Sequence, residues 1–84
     1  MRVLVVEDDL ETAQFLRKAL KESGHAVVLA HDGEEGAALA REGSFDVLII
    51  DRMLPKLDGL SLVRQMRSEG IRTPVLILSA LGEV

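Results

Sequence analysis

Short aliphatic runs alternate along the chain with stretches in which apolar residues recur every three or four positions, the signature of successive parallel βαβ units. The runs predict strands over Arg2 to Val6, Ala26 to Ala30, Phe45 to Ile50 and Val75 to Ser79, the second being the least marked. Between them, Leu10, Ala13, Leu16 or Arg17, and Leu20 keep helical spacing. Asp9 can cap the start of that segment and Gly24 follows its end, which predicts a helix over about residues 10–22. A shorter helix is expected from Gly33 to Glu42, ending before Gly43. Asp58 can cap a third, which carries Leu60, Val63 and Met66 and stops at Gly70, shortly before Pro74. The fold class expected is therefore α/β, a doubly wound parallel sheet of about four strands and three helices in one domain. Apart from this rhythm there is no linker, sequence repeat or low-complexity segment.

Composition narrows the picture. With 48% hydrophobic and 29% charged residues the 84-residue chain is globular rather than disordered. A chain of this size buries only roughly 60 to 65% of the surface it exposes when unfolded, so its stability is expected to be marginal. Phe15 and Phe45 are its only aromatic residues, which leaves an aliphatic core. A net charge of −4 and a pI near 5.0 argue against electrostatic binding of nucleic acid by this segment. DNA binding would need another domain. The absence of cysteine excludes disulfides and thiolate metal sites and fits a reducing compartment, so a cytoplasmic location is expected. Glu7, Asp8 and Asp9 follow the apolar residues 3–6 at once, leaving neither a signal-peptide core nor a span of ~20 apolar residues.

The stretch "VLIIDRMLP", residues 47–55, raises the chemical question. Val47, Leu48, Ile49 and Ile50 read as a strand buried on both faces, which is costly ground for the charge of Asp51. In a parallel sheet with crossover helices the carboxyl ends of all strands lie on one edge, where the ligand sites of open α/β folds collect. Glu7 and Asp8 follow the first predicted strand, Asp51 the third and Ser79 the fourth, so these polar groups converge on one rim. Three carboxylates held close repel unless a cation neutralises them. With oxygen ligands only, the ion expected is hard, Mg²⁺ or else Mn²⁺. The competing reading makes each acidic residue a cap or loop residue satisfied by backbone N–H groups. That reading is preferred for Asp9 and Asp58, and the cation reading for Glu7, Asp8 and Asp51. Ser79 alone is uninformative, since merely ending a strand would account for it equally well. His25 and His31 are expected on the surface near the second strand, away from this edge, and Glu34 and Glu35 on a solvated helix face.

Together "VLVVEDD", "VLIIDRMLPKLDG" and "TPVLILSA" resemble the phosphoacceptor receiver domains of bacterial two-component response regulators, over Met1 to Val84. "DRMLP" and "LSALGEV" look most like receivers of the winged-helix DNA-binding branch. The resemblance implies a flavodoxin-like fold and a place in Mg²⁺-dependent phosphorelay signalling, with a sensor histidine kinase as partner and a transcription regulator as parent. It makes Glu7 and Asp8 the acidic pair that positions Mg²⁺, with Asp8 the more direct ligand. Asp51 becomes both phosphoacceptor and metal ligand, and the backbone carbonyl of Met53 the third protein contact to the ion. Ser79 matches the hydroxyl residue that turns toward the phosphoryl oxygen after transfer, and Ala80 the small residue beside it. Pro55 and the Asp58-Gly59 pair shape the following loop. A receiver turns over no separate substrate, so no enzyme is expected.

Family receivers have five βα units, whereas this chain reads as the N-terminal part of one, over 1–84, stopping after the fourth strand. Missing from it are the lysine that follows the fifth strand, the aromatic switch residue and two helices. Lys18 and Lys21 lie in the first predicted helix; Lys56, beyond Asp51, is the nearest substitute for that lysine. An exposed strand edge and uncovered apolar surface predict self-association, as a dimer or an assembly with exchanged elements, unless the chain is a fragment. The alternative function is therefore a half-receiver that folds and assembles without taking phosphate. A haloacid-dehalogenase-like phosphatase would want an aspartate where Met53 stands, and no glycine-rich phosphate loop follows the first strand, which removes the Rossmann and P-loop readings.

Overall fold

A computed structural model describes residues 1–78, so the expected end of the fourth strand at Ser79, and the roles of Ser79 and Ala80, lie outside the described residues. Along the chain come β1 (Arg2–Val6), α1 (Leu10–Glu22), β2 (Ala26–Ala30), α2 (Gly33–Arg41), β3 (Val47–Asp51), α3 (Gly59–Ser68) and β4 (Val75–Leu78). The strands form one parallel sheet in the order β2-β1-β3-β4. The parallel sheet is the one that the alternating pattern predicts, and its strand order is the flavodoxin-like one that the family resemblance implies.

Strand alternation divides the apolar side chains between two faces. Leu4 and Val6 of β1 and Leu48 and Ile50 of β3 are all 0% exposed and share one core with Ala37 and Ala40 of α2 and Leu62 and Met66 of α3. Small residues let α2 lie close to the sheet: a Cβ at Gly36 would sit 2.9 Å from Cγ2 of Val6. Val3 and Val5 point to the opposite face, which α1 covers with its buried Ala13. Coverage there stops short of β4. Ile49 is only half-buried, and Leu76, its partner in register, is 55% exposed. Burial of β3 on both faces is thus corrected: Leu48 and Ile50 are buried in the core shared with α2 and α3, whereas Val47 and Ile49 on the other face are only half-buried.

Each helix begins on an aspartate that accepts from a backbone N–H in the first turn: Asp9 from Thr12, Asp32 from Glu35 and Asp58 from Ser61. The first and third are as expected; the cap at Asp32 is new, and α2 ends at Arg41 rather than Glu42. β3 starts at Val47 rather than Phe45, and it includes Asp51. Phe45 is apolar for another reason, being a core residue at 8% exposure whose ring carries the Arg2 guanidinium 4.6 Å from its centroid.

Candidate functional site

The carboxyl ends of β1 and β3 are adjacent because these strands pair from Val3 with Val47 to Val6 with Ile50. Glu7 continues the β1 ladder by donating its N–H to the Ala30 carbonyl at 2.9 Å, which holds its side chain in the protein at 6% exposure. Asp8 follows on the surface, and Asp51, half-buried, is the last residue of β3. The result is a cluster in which one carboxylate oxygen from each of Glu7, Asp8 and Asp51 lies within 4.8 Å of the others. Predicted from positions far apart in sequence, these residues do come together in space.

Electrostatics separates this cluster from the capping aspartates. Burial pushes the Glu7 carboxyl up to about 7. The Asp9 N–H, donated to Oε2 of Glu7 at 3.0 Å, pulls the other way, and the charge of Asp51 pushes up again. Asp9 and Asp58 are held below the usual carboxylate range, chiefly by the Thr12 hydroxyl in the first case and the Ser61 N–H in the second. Caps are thus relieved of strain by donors, whereas Glu7 is crowded by acceptors. None of the ion pairs among the described residues reaches Glu7, Asp8 or Asp51. An oxygen-only donor set with one member pushed toward neutrality fits a hard divalent cation such as Mg²⁺.

Around the cluster, Oδ1 of Asp51 accepts the Met53 N–H at 3.2 Å, and the Met53 side chain lies out in solvent at 71% exposure. The loop beyond closes on itself through Gly59, whose N–H donates to the Arg52 carbonyl at 2.9 Å. A Cβ at Gly59 would stand 2.5 Å from the Asp51 carbonyl oxygen, so only glycine allows α3 to start this close to the end of β3. Lys56 is committed elsewhere, with Nζ 3.5 Å from Oδ2 of Asp32. As a substitute for the family lysine it is therefore badly placed. His25 sits at the opposite end of the sheet, against the terminal amine of Met1. His31 is a correction: it follows β2 and so stands on the carboxyl rim, its N–H donated to Glu35. The preceding strand is short, and counting from its end at Ala30 would have placed it there.

The sequence profile of the response regulator receiver domain matches residues 3–84. The chain belongs to that family. A relative of this receiver, the probable transcriptional regulatory protein SilR of Salmonella typhimurium, is 43% identical over all 84 residues, which make up 37% of that relative. Among solved structures, the receiver domain of the Francisella response regulator 1452 superposes with a TM-score of 0.92 at 43% identity, covering 99% of this chain and 69% of that one. The receiver domain of the sensor histidine kinase PA1611 from Pseudomonas aeruginosa has a TM-score of 0.90 at 31% identity, covering 98% and 69%, and holds a magnesium ion in its active-site cleft. The present receiver thus spans well under half of its transcription-regulating relative and about two thirds of the solved receivers. No described helix is long and apolar enough to cross a membrane.

Proposed function

We propose that this receiver takes a phosphoryl group on Asp51 from the phosphohistidine of a sensor kinase, with Mg²⁺ held by Glu7, Asp8, Asp51 and the Met53 carbonyl. The observation that carries the reading is the convergence of three carboxylates within 4.8 Å on the strand-end rim. An Asp51 oxygen forms the new O–P bond while the P–N bond to the donor imidazole breaks and its electron pair stays on nitrogen. When bound, the ion supplies charge neutralisation for the phosphoryl and carboxylate oxygens. Glu7 and Asp8 do not react; they hold negative charge where the cation is needed. The exposed Met53 side chain supports a role for its backbone alone. The magnesium reported for the PA1611 receiver supports the choice of ion. Regulation of transcription would then pass through a DNA-binding domain outside this acidic segment, as the likeness to SilR suggests.

Incubation with acetyl phosphate or phosphoramidate and Mg²⁺ is expected to add one phosphoryl group by intact mass, and Asp51→Asn to abolish it. Absence of the adduct in excess donor would overturn the phosphoacceptor reading. A second reading, self-association without transfer, is favoured by the 55% exposure of Leu76 on a strand with a free outer edge among the described residues. Light scattering at micromolar concentration tests it: a monomer at all concentrations would remove that reading.

A further inference from the structure

The loop from Arg52 to Asp58 carries the backbone of Met53 past the carboxylate cluster, and its far side rests on the start of α2. Pro55 accepts two N–H groups there, from Leu57 at 2.8 Å and from Gly33 at 3.4 Å. The first closes a three-residue turn centred on Lys56, whose φ of 70° lies in the left-handed region that a lysine occupies at a cost. Something outside the turn must therefore over-determine it. Gly33 is in close contact: a Cβ built there would overlap the Leu57 carbonyl oxygen and stand 2.5 Å from the Leu57 Cβ. Asp32 works in two directions at once, Oδ1 accepting the Glu35 N–H at 2.8 Å and Oδ2 facing Nζ of Lys56 at 3.5 Å. Glu34 adds a second carboxylate 3.9 Å from the same ammonium.

We infer that Gly33, with the Asp32–Lys56 pair, is a positioning element for the cation site: the start of α2 sets where the 52–58 loop lies and hence how well Met53 and Asp51 hold the ion. This rests on the proposed metal reading. Lys56 is exposed but Asp32 is half-buried, and the ion pair and the close backbone approach at Gly33 act on the loop together.

Backbone amide NMR with and without Mg²⁺ separates the two. Gly33→Ala is expected to displace the amide signals of residues 52–57 in the metal-free protein and to weaken Mg²⁺ binding about tenfold, as loss of a supporting contact around a metal does. Gly36→Ala is the control on the same helix. Its new methyl meets the Val6 side chain rather than the loop, so it should lower thermal stability while leaving the Mg²⁺ affinity unchanged. Equal Mg²⁺ affinities for Gly33→Ala and the wild type, or equal losses in both variants, would overturn the inference while leaving the metal reading intact. A wild-type chain with no Mg²⁺ response would remove the metal reading, and the inference with it. Should Gly33→Ala fail to fold, Asp32→Asn, which keeps a helix cap, decides the matter. A shifted Met53 amide and weaker Mg²⁺ binding support the positioning role, and an unmoved Met53 amide overturns it.

Discussion

The two ends of the sheet handle charge in opposite ways. At the amino end, Asp46 accepts the Arg2 N–H at 2.7 Å, the Arg2 guanidinium donates to the Ser44 hydroxyl and stacks on Phe45, and the Met1 amine meets His25 at 3.1 Å. Donors there face acceptors. At the carboxyl end, Glu7, Asp8 and Asp51 crowd together with no basic side chain among their ion-pair partners in the described residues. The amino end is built as a stable structure would be, whereas the carboxyl end stores repulsion that only protons or a cation can relieve. Such a rim is costly in the metal-free fold and useful to a ligand.

The sharpest way to break this contrast is Asp51→Asn. It should remove the phosphoryl adduct entirely and, by deleting one of three like charges, stabilise the metal-free protein by about 1 kcal/mol, read as a higher urea midpoint. A lowered midpoint would mean that Asp51 is stabilising and that the two ends do not differ as described.

Short of abolishing the adduct, the pH dependence is expected to have the largest effect on stability. Glu7 has its carboxyl raised from 4.5 in the unfolded chain to about 7 in the fold, so between these values the folded state binds more protons than the unfolded. As far as this group is concerned, stability of the metal-free protein should therefore be fully present below about pH 4.5 and fall as pH rises through 7, by up to about 3 kcal/mol. Urea titrations at pH 5 and pH 7.5 check the sign. Saturating Mg²⁺ should flatten the slope, and Glu7→Gln should remove it; a slope unchanged in Glu7→Gln would assign it to other groups.

At the amino end the opposite outcome is expected from Asp46→Ala. Losing the acceptor for the Arg2 N–H should cost about 1 kcal/mol and leave Mg²⁺ binding as it was. The smallest effect belongs to neither end: Arg41→Gln breaks the exposed pair with Glu69 between α2 and α3 and should leave stability almost unchanged. Thermal melts with and without Mg²⁺ read both.

Features written in local periodicity were legible before any coordinates. α1 falls on residues 10–22 with its Asp9 cap, and Glu7, Asp8 and Asp51 were readable because the Glu7-Asp8 pair and Asp51 each follow an apolar run at once. What was illegible depends on distant partners. Phe45 extends an apolar run yet serves the core, since Arg2 and not a neighbouring strand lies over it. The half-burial of Ile49 depends on what lies over that face of the sheet, which its own sequence neighbourhood does not encode. Gly33 looks like an ordinary helix start; that its missing side chain admits Leu57 is a matter of tertiary approach. His31 was misplaced by treating β2 as remote from the rim, although the parallel register puts Ala30 level with Val6.

The central position of β1 also bears on how the chain acquires its shape. β1 is the first strand made, and its residues Val3 to Val6 are apolar on both faces, yet both its neighbours come later: Val5 pairs with Leu29 and with Ile49. During synthesis β1 therefore leaves the ribosome before either of its partners and waits unpaired until β2, and then β3, has followed. Parallel pairing of this kind closes long loops before any contact rewards them, which slows folding and lengthens the exposure. The three acidic residues at positions 7 to 9 travel directly behind that segment, where like charge opposes association of one nascent β1 with another. Two of the carboxylates that crowd the finished site, Glu7 and Asp8, would thus act earlier as a guard on the strand they follow.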